Sequence, residues 1–270
     1  MTRIAVFGAT GRMGQTLVRL IAADDRLQLA GAATEPGHTS VGQDAGLVAG
    51  VGQLDVKITD NPEAAVTEAD VAIDFTLPAA LAGNVAACLA NQTGMVIGTT
   101  GLGDTDMTLI RDAAKHIPLV YGRNMSVGVN LLAELARLAS QVLGEDFDVE
   151  INEAHHRHKV DAPSGTALLL GEAVADGRGA EFADVAVYER HGVGEARKSG
   201  SIGFASLRAG SIVGDHTVMF ASDEEVIELQ HRAMDRTVFA RGGLRAAAWL
   251  SGGREAGFYS MKDVLGLEDR

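Results

Sequence analysis

Two periodicities of apolar residues divide this chain. In its first half, short unbroken apolar runs at Arg3 to Phe7, Leu27 to Ala33, Val71 to Phe75, Met95 to Ile97 and Leu119 to Tyr121 read as buried strands. Helix-forming stretches lie between them. Leu17, Leu20 and Ile21 recur at helical spacing, Pro78 opens a helix that reaches Asn91, and another spans Asp104 to Lys115. Repeated strand–helix units of this kind predict a doubly wound parallel sheet. From Val127 the pattern changes. Leu131, Leu132, Leu135, Leu138, Ala139 and Val142 mark one long amphipathic helix that stops at Gly144. Phe147, Val149 and Ile151 then alternate with Asp148, Glu150 and Asn152, a half-buried strand that delivers the chain to His155. A helix follows from Pro163-Ser164-Gly165-Thr166, with Pro163 near its first position, to Asp176. Beyond the glycine-rich stretch Gly192 to Gly203, the runs Gly203 to Ala221 and Glu225 to His231 read as strands, and Arg241 to Leu250 as a helix whose apolar face returns to the first half. The expected division is residues 1–126, 127–235 and a returning segment 236–270.

Composition narrows the class without changing this picture. At 270 residues, 46% hydrophobic and 22% charged, the chain has the make-up of an ordinary globular protein large enough for two domains. Its 33 glycines and 4% aromatic content favour an α/β protein with many glycine turns over a base-stacking nucleic-acid binder. A net charge of −13 argues against binding nucleic acid or anionic membranes through the surface as a whole. The lone Cys88 lies in an apolar helical pattern and reads as a packing residue. No apolar run has the length of a membrane span, and Gly8 interrupts the first one, so a cytoplasmic location is expected.

Candidate chemistry sits where the elements change. The first strand runs into GATGRMG at 8–14 and then into a helix, the arrangement in which glycines bring the backbone close to a pyrophosphate and the helix N-terminus faces its charge. Glu35 stands about 20 residues beyond Gly14, where a dinucleotide fingerprint places the acid that accepts from the adenosine ribose. A carboxylate there leans towards NADH; Pro36 beside it supplies no cation, while Arg12 and His38 leave NADPH open. The loops FTLP, GTTG and GRNM fall at the same strand ends as GATGRMG and are expected to share its crevice. A second cluster, His155, His156, Arg157, His158 and Lys159, reverses the sign of an acidic chain. Lys159 and the Ser164-Gly165-Thr166 amides at a helix start suit a small anion, and a histidine suits proton transfer to it. A metal site on His156 and His158, sharing one face of an extended strand, is disfavoured because Arg157 and Lys159 would repel a dication.

Together these motifs resemble the 4-hydroxy-tetrahydrodipicolinate reductase (dihydrodipicolinate reductase) family. The resemblance covers nearly the whole chain through GATGRMG at 8–14, DFTLP at 74–78, GTTG at 98–101, NMSVGVN at 124–130, EAHHRHKVDAPSGTAL at 153–168 and RAGSIVGDHTV at 208–218. It implies a Rossmann-type doubly wound parallel sheet domain and an α+β substrate-binding and oligomerisation domain with a mixed sheet. It further implies NADH or NADPH as cofactor, a small-molecule dicarboxylate substrate and a homotetramer. Carried onto this sequence, it implies cofactor binding by Gly8, Ala9, Thr10, Gly11, Arg12, Met13, Glu35, Gly98, Thr99, Thr100, Gly122, Arg123, Asn124 and Met125. His155 and Lys159 become proton donors, with His156, Gly165 and Thr166 as substrate ligands beside Ser164; no metal is implied. Two other readings fit the glycine motif alone: a different two-domain NAD(P)-dependent dehydrogenase, and a non-catalytic NAD(P)-sensing protein.

Overall fold

The computed structural model describes residues 1–267. In chain order the elements are β1 (Thr2–Phe7), α1 (Arg12–Ala22), β2 (Leu27–Ala33), α2 (Ala45–Ala49), β3 (Ile58–Thr59), α3 (Pro62–Val66), β4 (Val71–Asp74), α4 (Pro78–Asn91), β5 (Gly94–Ile97), α5 (Asp104–Ala113) and β6 (Pro118–Tyr121). There follow α6 (Val127–Leu143), β7 (Asp148–His155), α7 (Gly165–Arg178), α8 (Phe182–Val185), β8 (Ala186–Val187), β9 (Ile202–Arg208), β10 (Asp215–Ala221) and β11 (Val226–Arg232). The chain closes with α9 (Thr237–Leu250), β12 (Gly257–Tyr259) and α10 (Met261–Leu265). Contacts divide it into two compact units, one made of Met1–Ser126 with the chain from Thr237 onward, the other of Val127–Arg236.

The first unit is built on a seven-stranded parallel sheet in the order β12-β6-β5-β4-β1-β2-β3. Strand order runs outward one way from β1 to β3 and the other way from β4 to β12. The reversal lies between β1 and β4, where open α/β sheets leave a crevice beyond the strand ends. Both faces are covered, which is why these strands read as continuous apolar runs. Ile4, Val6 and Ile73 face the core beneath α1 and α9, while Ala5, Phe7 and Ala72 face that beneath α3, α4 and α5. Helix α9 thus supplies part of the core, as its apolar pattern suggested, but it begins at Thr237 and not at Arg241. Strand β12 carries too little sequence periodicity to be seen in advance; it joins the sheet edge against β6.

The second unit is a five-stranded mixed sheet, β11-β10-β7-β9-β8, in which β7 runs antiparallel to β10 and parallel to β9. Leu132, Ala136, Leu170 and Val174 of α6 and α7 pack on Val149, Ile151, Val218 and Phe220 of the sheet. The expected strand from Gly203 to Ala221 is two strands separated by a loop at 209–214, because Gly210 takes a positive φ of 50° and Gly214 reaches back to the β7 end.

Candidate active site

In the first unit the glycine turn is held by contact between backbones. Gly8 has φ 71°, Ala9 donates its N–H to the Ala33 carbonyl at 2.9 Å, and Gly11 donates to the Gly8 carbonyl at 2.9 Å. A Cβ at Gly14 would stand 2.0 Å from the Gly8 oxygen, so only glycine lets α1 start so close to the end of β1. Gly11 caps α1 with no side chain, which leaves the first N–H groups, at the exposed Arg12 and half-buried Met13, without a capping oxygen. An anion satisfies such groups. Glu35 is exposed beyond β2, and Thr34 Oγ1 donates to its Oε2 at 3.1 Å while bonding Thr10 Oγ1 at 2.7 Å. The acid and the glycine turn are therefore tied together. A backbone N–H of its own residue and the Thr34 hydroxyl hold the Glu35 carboxyl below its ordinary range.

The neighbouring loops are joined by a residue the sequence reading passed over. Asp74, fully buried at the end of β4, accepts from Thr76 N–H at 2.8 Å, Thr76 Oγ1 at 2.6 Å, Thr99 Oγ1 at 2.9 Å and Asn84 Nδ2 at 2.9 Å. Its signal was an ionisable side chain closing an otherwise apolar strand. Thr99 spends its hydroxyl on this network, so any ligand contact from it is through the loop backbone, whereas Thr100 is exposed. Gly98 is sealed against the Phe75 ring, where a Cβ would come within 2.3 Å of Cε1. Past β6, Gly122 and Asn124 are half-buried and Arg123 is exposed. The Met125 side chain lies in the core, with Gly242 of α9 directly against its carbonyl.

In the second unit, the alternation along β7 continues two steps further than the apolar residues do. Val149, Ile151, Glu153 and His155 all point to the buried face. His155 Nδ1 lies 2.5 Å from Glu153 Oε2, and Arg208 spans the same carboxylate, donating from Nη1 to Oε2 at 2.9 Å and from Nη2 to Oε1 at 2.7 Å. Sheet register sets this up: Arg208 lies opposite His155 and His216 opposite Glu153. Burial alone would raise the Glu153 carboxyl, but donors from His155, Arg208 and Ser206 outweigh it and hold it well below the usual carboxylate range. Burial, aided by the His155 charge, pushes His216 down to about 3, so this imidazole stays neutral. It packs edge-on against His155 with ring centroids 5.0 Å apart.

Several expected residues stand here, with two corrections. The strand ends at His155, so His156 and His158 lie in and beside a turn and share no strand face; their ring centroids are 6.2 Å apart. His156 Nε2 is 3.3 Å from Arg236 Nη2, and partial desolvation with the Arg236 charge lowers its pKa. Lys159 Nζ pairs with Asp161 at 2.8 Å, so the basic cluster is partly compensated within its own loop. Ser164, expected to offer its amide to an anion, does not: that N–H donates to Glu153 Oε1 at 3.2 Å. Its buried hydroxyl accepts from Ala167 N–H at 3.1 Å and bonds His216 Nε2 at 3.1 Å. Ser164 is the N-cap of α7, Pro163 precedes the cap, and Gly165 and Thr166 open the helix, Gly165 exposed with no atom near an added Cβ. Glu153, His155 and His216 bring potential metal-ligand atoms within 4.8 Å of one another, yet a dication there would have to displace Arg208 from the carboxylate. Ser164→Ala is expected to cost about 1 kcal/mol for the cap and about 1–3 kcal/mol for the orphaned His216, read as a lower urea midpoint.

Residues 2–125 match a family model described as dihydrodipicolinate reductase, N-terminus, and residues 128–265 match its C-terminus counterpart. The 4-hydroxy-tetrahydrodipicolinate reductase of Pseudomonas fluorescens is 52% identical over 268 residues, covering 99% of this chain and 100% of that protein. That of Alkalilimnicola ehrlichii is 52% identical over 266 residues, covering 98% and 99%. A solved dipicolinate-bound dihydrodipicolinate reductase from a Paenisporosarcina species is similar with TM-score 0.74 and 25% identity, over 96% of this chain and 97% of that one. An amine dehydrogenase from Mycobacterium smegmatis, 15% identical with TM-score 0.58 over 93% of each chain, shares the fold.

Proposed function

Because this chain belongs to the dihydrodipicolinate reductase family, we propose that it reduces 4-hydroxy-tetrahydrodipicolinate to tetrahydrodipicolinate with NADH or NADPH, in the diaminopimelate route to lysine. The observation that carries the reading is His155, a proton-transfer side chain fixed through Nδ1 at the strand end from which Lys159 and the start of α7 follow. The first unit fits a nicotinamide dinucleotide: α1 begins without a side-chain cap, Gly14 admits close backbone approach, and Glu35 presents an exposed carboxylate. When bound, the cofactor supplies the hydride.

The chain's own residues do the rest. In this proposal Gly8 to Met13 cradle the pyrophosphate, Glu35 accepts from the ribose, and Gly98 to Thr100 with Gly122 to Met125 form the nicotinamide side. The amides of Gly165 and Thr166 and the His156 imidazole bind the substrate carboxylates. Lys159 places a cation beside the charge that develops as hydride arrives, and His155 delivers a proton. Both act more strongly on the transition state than on the ground state, as catalysis requires. The homotetramer implied for the family is assigned to the second unit's sheet, where Leu207 and Val226 are exposed. No helix among the described residues is long and apolar enough to cross a membrane, and we place the enzyme in the cytoplasm.

The test is the rate of NADH and NADPH oxidation with the freshly made condensation product of pyruvate and aspartate semialdehyde. Turnover with either cofactor supports the reading, and turnover with neither overturns it. NADH is the expected preference. Glu35→Ala should move the ratio of the two kcat/KM values towards NADPH by about tenfold, the effect of removing roughly 1.4 kcal/mol of discrimination.

A further inference from the structure

We propose that Glu153, clamped by Arg208, is a positioning residue of the reaction: it holds His155 by Nδ1 and dedicates Nε2 to proton transfer. The inference rests on the reading of His155 as proton donor. Glu153 is 2% exposed and makes no contact with solvent that would explain a charge at this point in the sheet. What it does have is a full set of directed partners: His155 on Oε2, two guanidinium donors from Arg208, and the Ser164 N–H on Oε1. A buried carboxylate is costly unless so satisfied, and one facing an imidazole fixes which ring nitrogen carries the bound proton and which is left to react.

The groups around His155 are consistent with that division of labour. On its own strand, Glu153 takes Nδ1. From β9, Arg208 stands opposite in register and spends its charge on the carboxylate, which keeps Glu153 from taking the proton itself. From β10, His216 lies edge-on, neutral and bonded to Ser164, so it offers no competing acid. From the loop after β7, Lys159 is paired with Asp161. Nε2 is turned towards Gly214, where a Cβ would stand 3.1 Å away, so a side chain at that position would crowd the atom assigned to transfer. In the step itself, the substrate's 4-hydroxyl leaves as water to give the conjugated imine. Once hydride has added to it, the Nε2–H bond of the imidazolium breaks as a C–H bond forms on the resulting enamine anion. His155 is left neutral with Nδ1–H still on Glu153, and water restores the proton.

Glu153→Gln and Glu153→Asp decide this. In Glu153→Gln, kcat should fall on the order of a hundredfold or more, because an amide can accept from Nδ1–H or donate to Nδ1 and so no longer fixes the tautomer of the ring. The cofactor KM, set in the other unit, should stay unchanged. The limb of the kcat profile at which activity falls with rising pH should move lower, because the proton donor has lost an anionic partner that favours its protonated form. Glu153→Asp should recover part of both. A merely structural role predicts lower melting temperature with an unmoved limb, and that result would overturn the proposal. If Glu153→Gln does not fold, proton NMR of the wild type answers instead: a far-downfield Nδ1–H resonance missing from His155→Ala is expected, and its absence refutes the positioning. Wild type that oxidises neither cofactor sinks the reductase reading, while the resonance still decides whether Glu153 holds His155.

Discussion

His155→Ala is expected to lower kcat on the order of a hundred- to ten-thousandfold, the range over which a positioned acid or base contributes. The cofactor KM should be unaffected. This separation is expected because His155 ends β7 in the second unit, while the glycine turn, Glu35 and the Asp74 network all belong to the first. The fold should tolerate the change. Removing the imidazole takes one donor from the Glu153 carboxylate but leaves both Arg208 bonds and the Ser164 N–H, so the buried charge keeps a partner. Steady-state kinetics beside a fluorescence titration with NADH measures both halves. A variant within threefold of wild type would remove His155 from the chemistry and leave Lys159 as the proton source.

Gly14→Ala should abolish cofactor binding and destabilise the first unit. The added methyl would sit 2.0 Å from the Gly8 carbonyl oxygen and 2.7 Å from Ala9 Cα. Both obstacles are backbone, so no rotamer change relieves them; overpacking of this kind costs about 1–3 kcal/mol or more when it forces backbone shifts. The turn that must move is the one whose Gly11 N–H bonds Gly8 and whose Ala9 N–H bonds the neighbouring strand. Any relaxation therefore re-aims the N–H groups proposed to receive the pyrophosphate. Gly83, exposed in α4 with no atom near an added Cβ, is the control: alanine there should be neutral or slightly stabilising. Equal melting temperatures and equal NADH affinity for Gly14→Ala and wild type would contradict the close-approach explanation.

Local pattern carried much of the architecture. Parallel strands buried on both faces must be continuous apolar runs, so β1, β2, β4, β5 and β6 were visible as such, and their glycine loops identified the end of the sheet where a ligand binds. The short α2, β3, α3, β12 and α10 were missed because two to five residues span too little of either period to register. The Ser164 amide was read as open to an anion for a related reason. Sequence shows that a serine precedes a helix, but an N-cap hydroxyl and a free amide look alike until the carboxylate that takes the amide is known.

The amino-acid sequence by itself determined the wound parallel sheet, the tight glycine turn with its acid at Glu35, and the placing of His155 and Lys159 between a strand and a helix start. Each of these depends on residues close together in the chain, or on a spacing set by one strand–helix–strand unit. Tertiary structure alone decided what surrounds His155. Arg208 and His216 reach it from strands separated from β7 in sequence, with |i−j| of 55 for the Arg208–Glu153 pair, and only sheet register sets them opposite His155 and Glu153. The same holds for Asp74 and Thr99, and for Met125 beneath Gly242 of the returning helix. A buried charge is stable only where folding delivers its partners, and their identity is a property of strand pairing that no local period records.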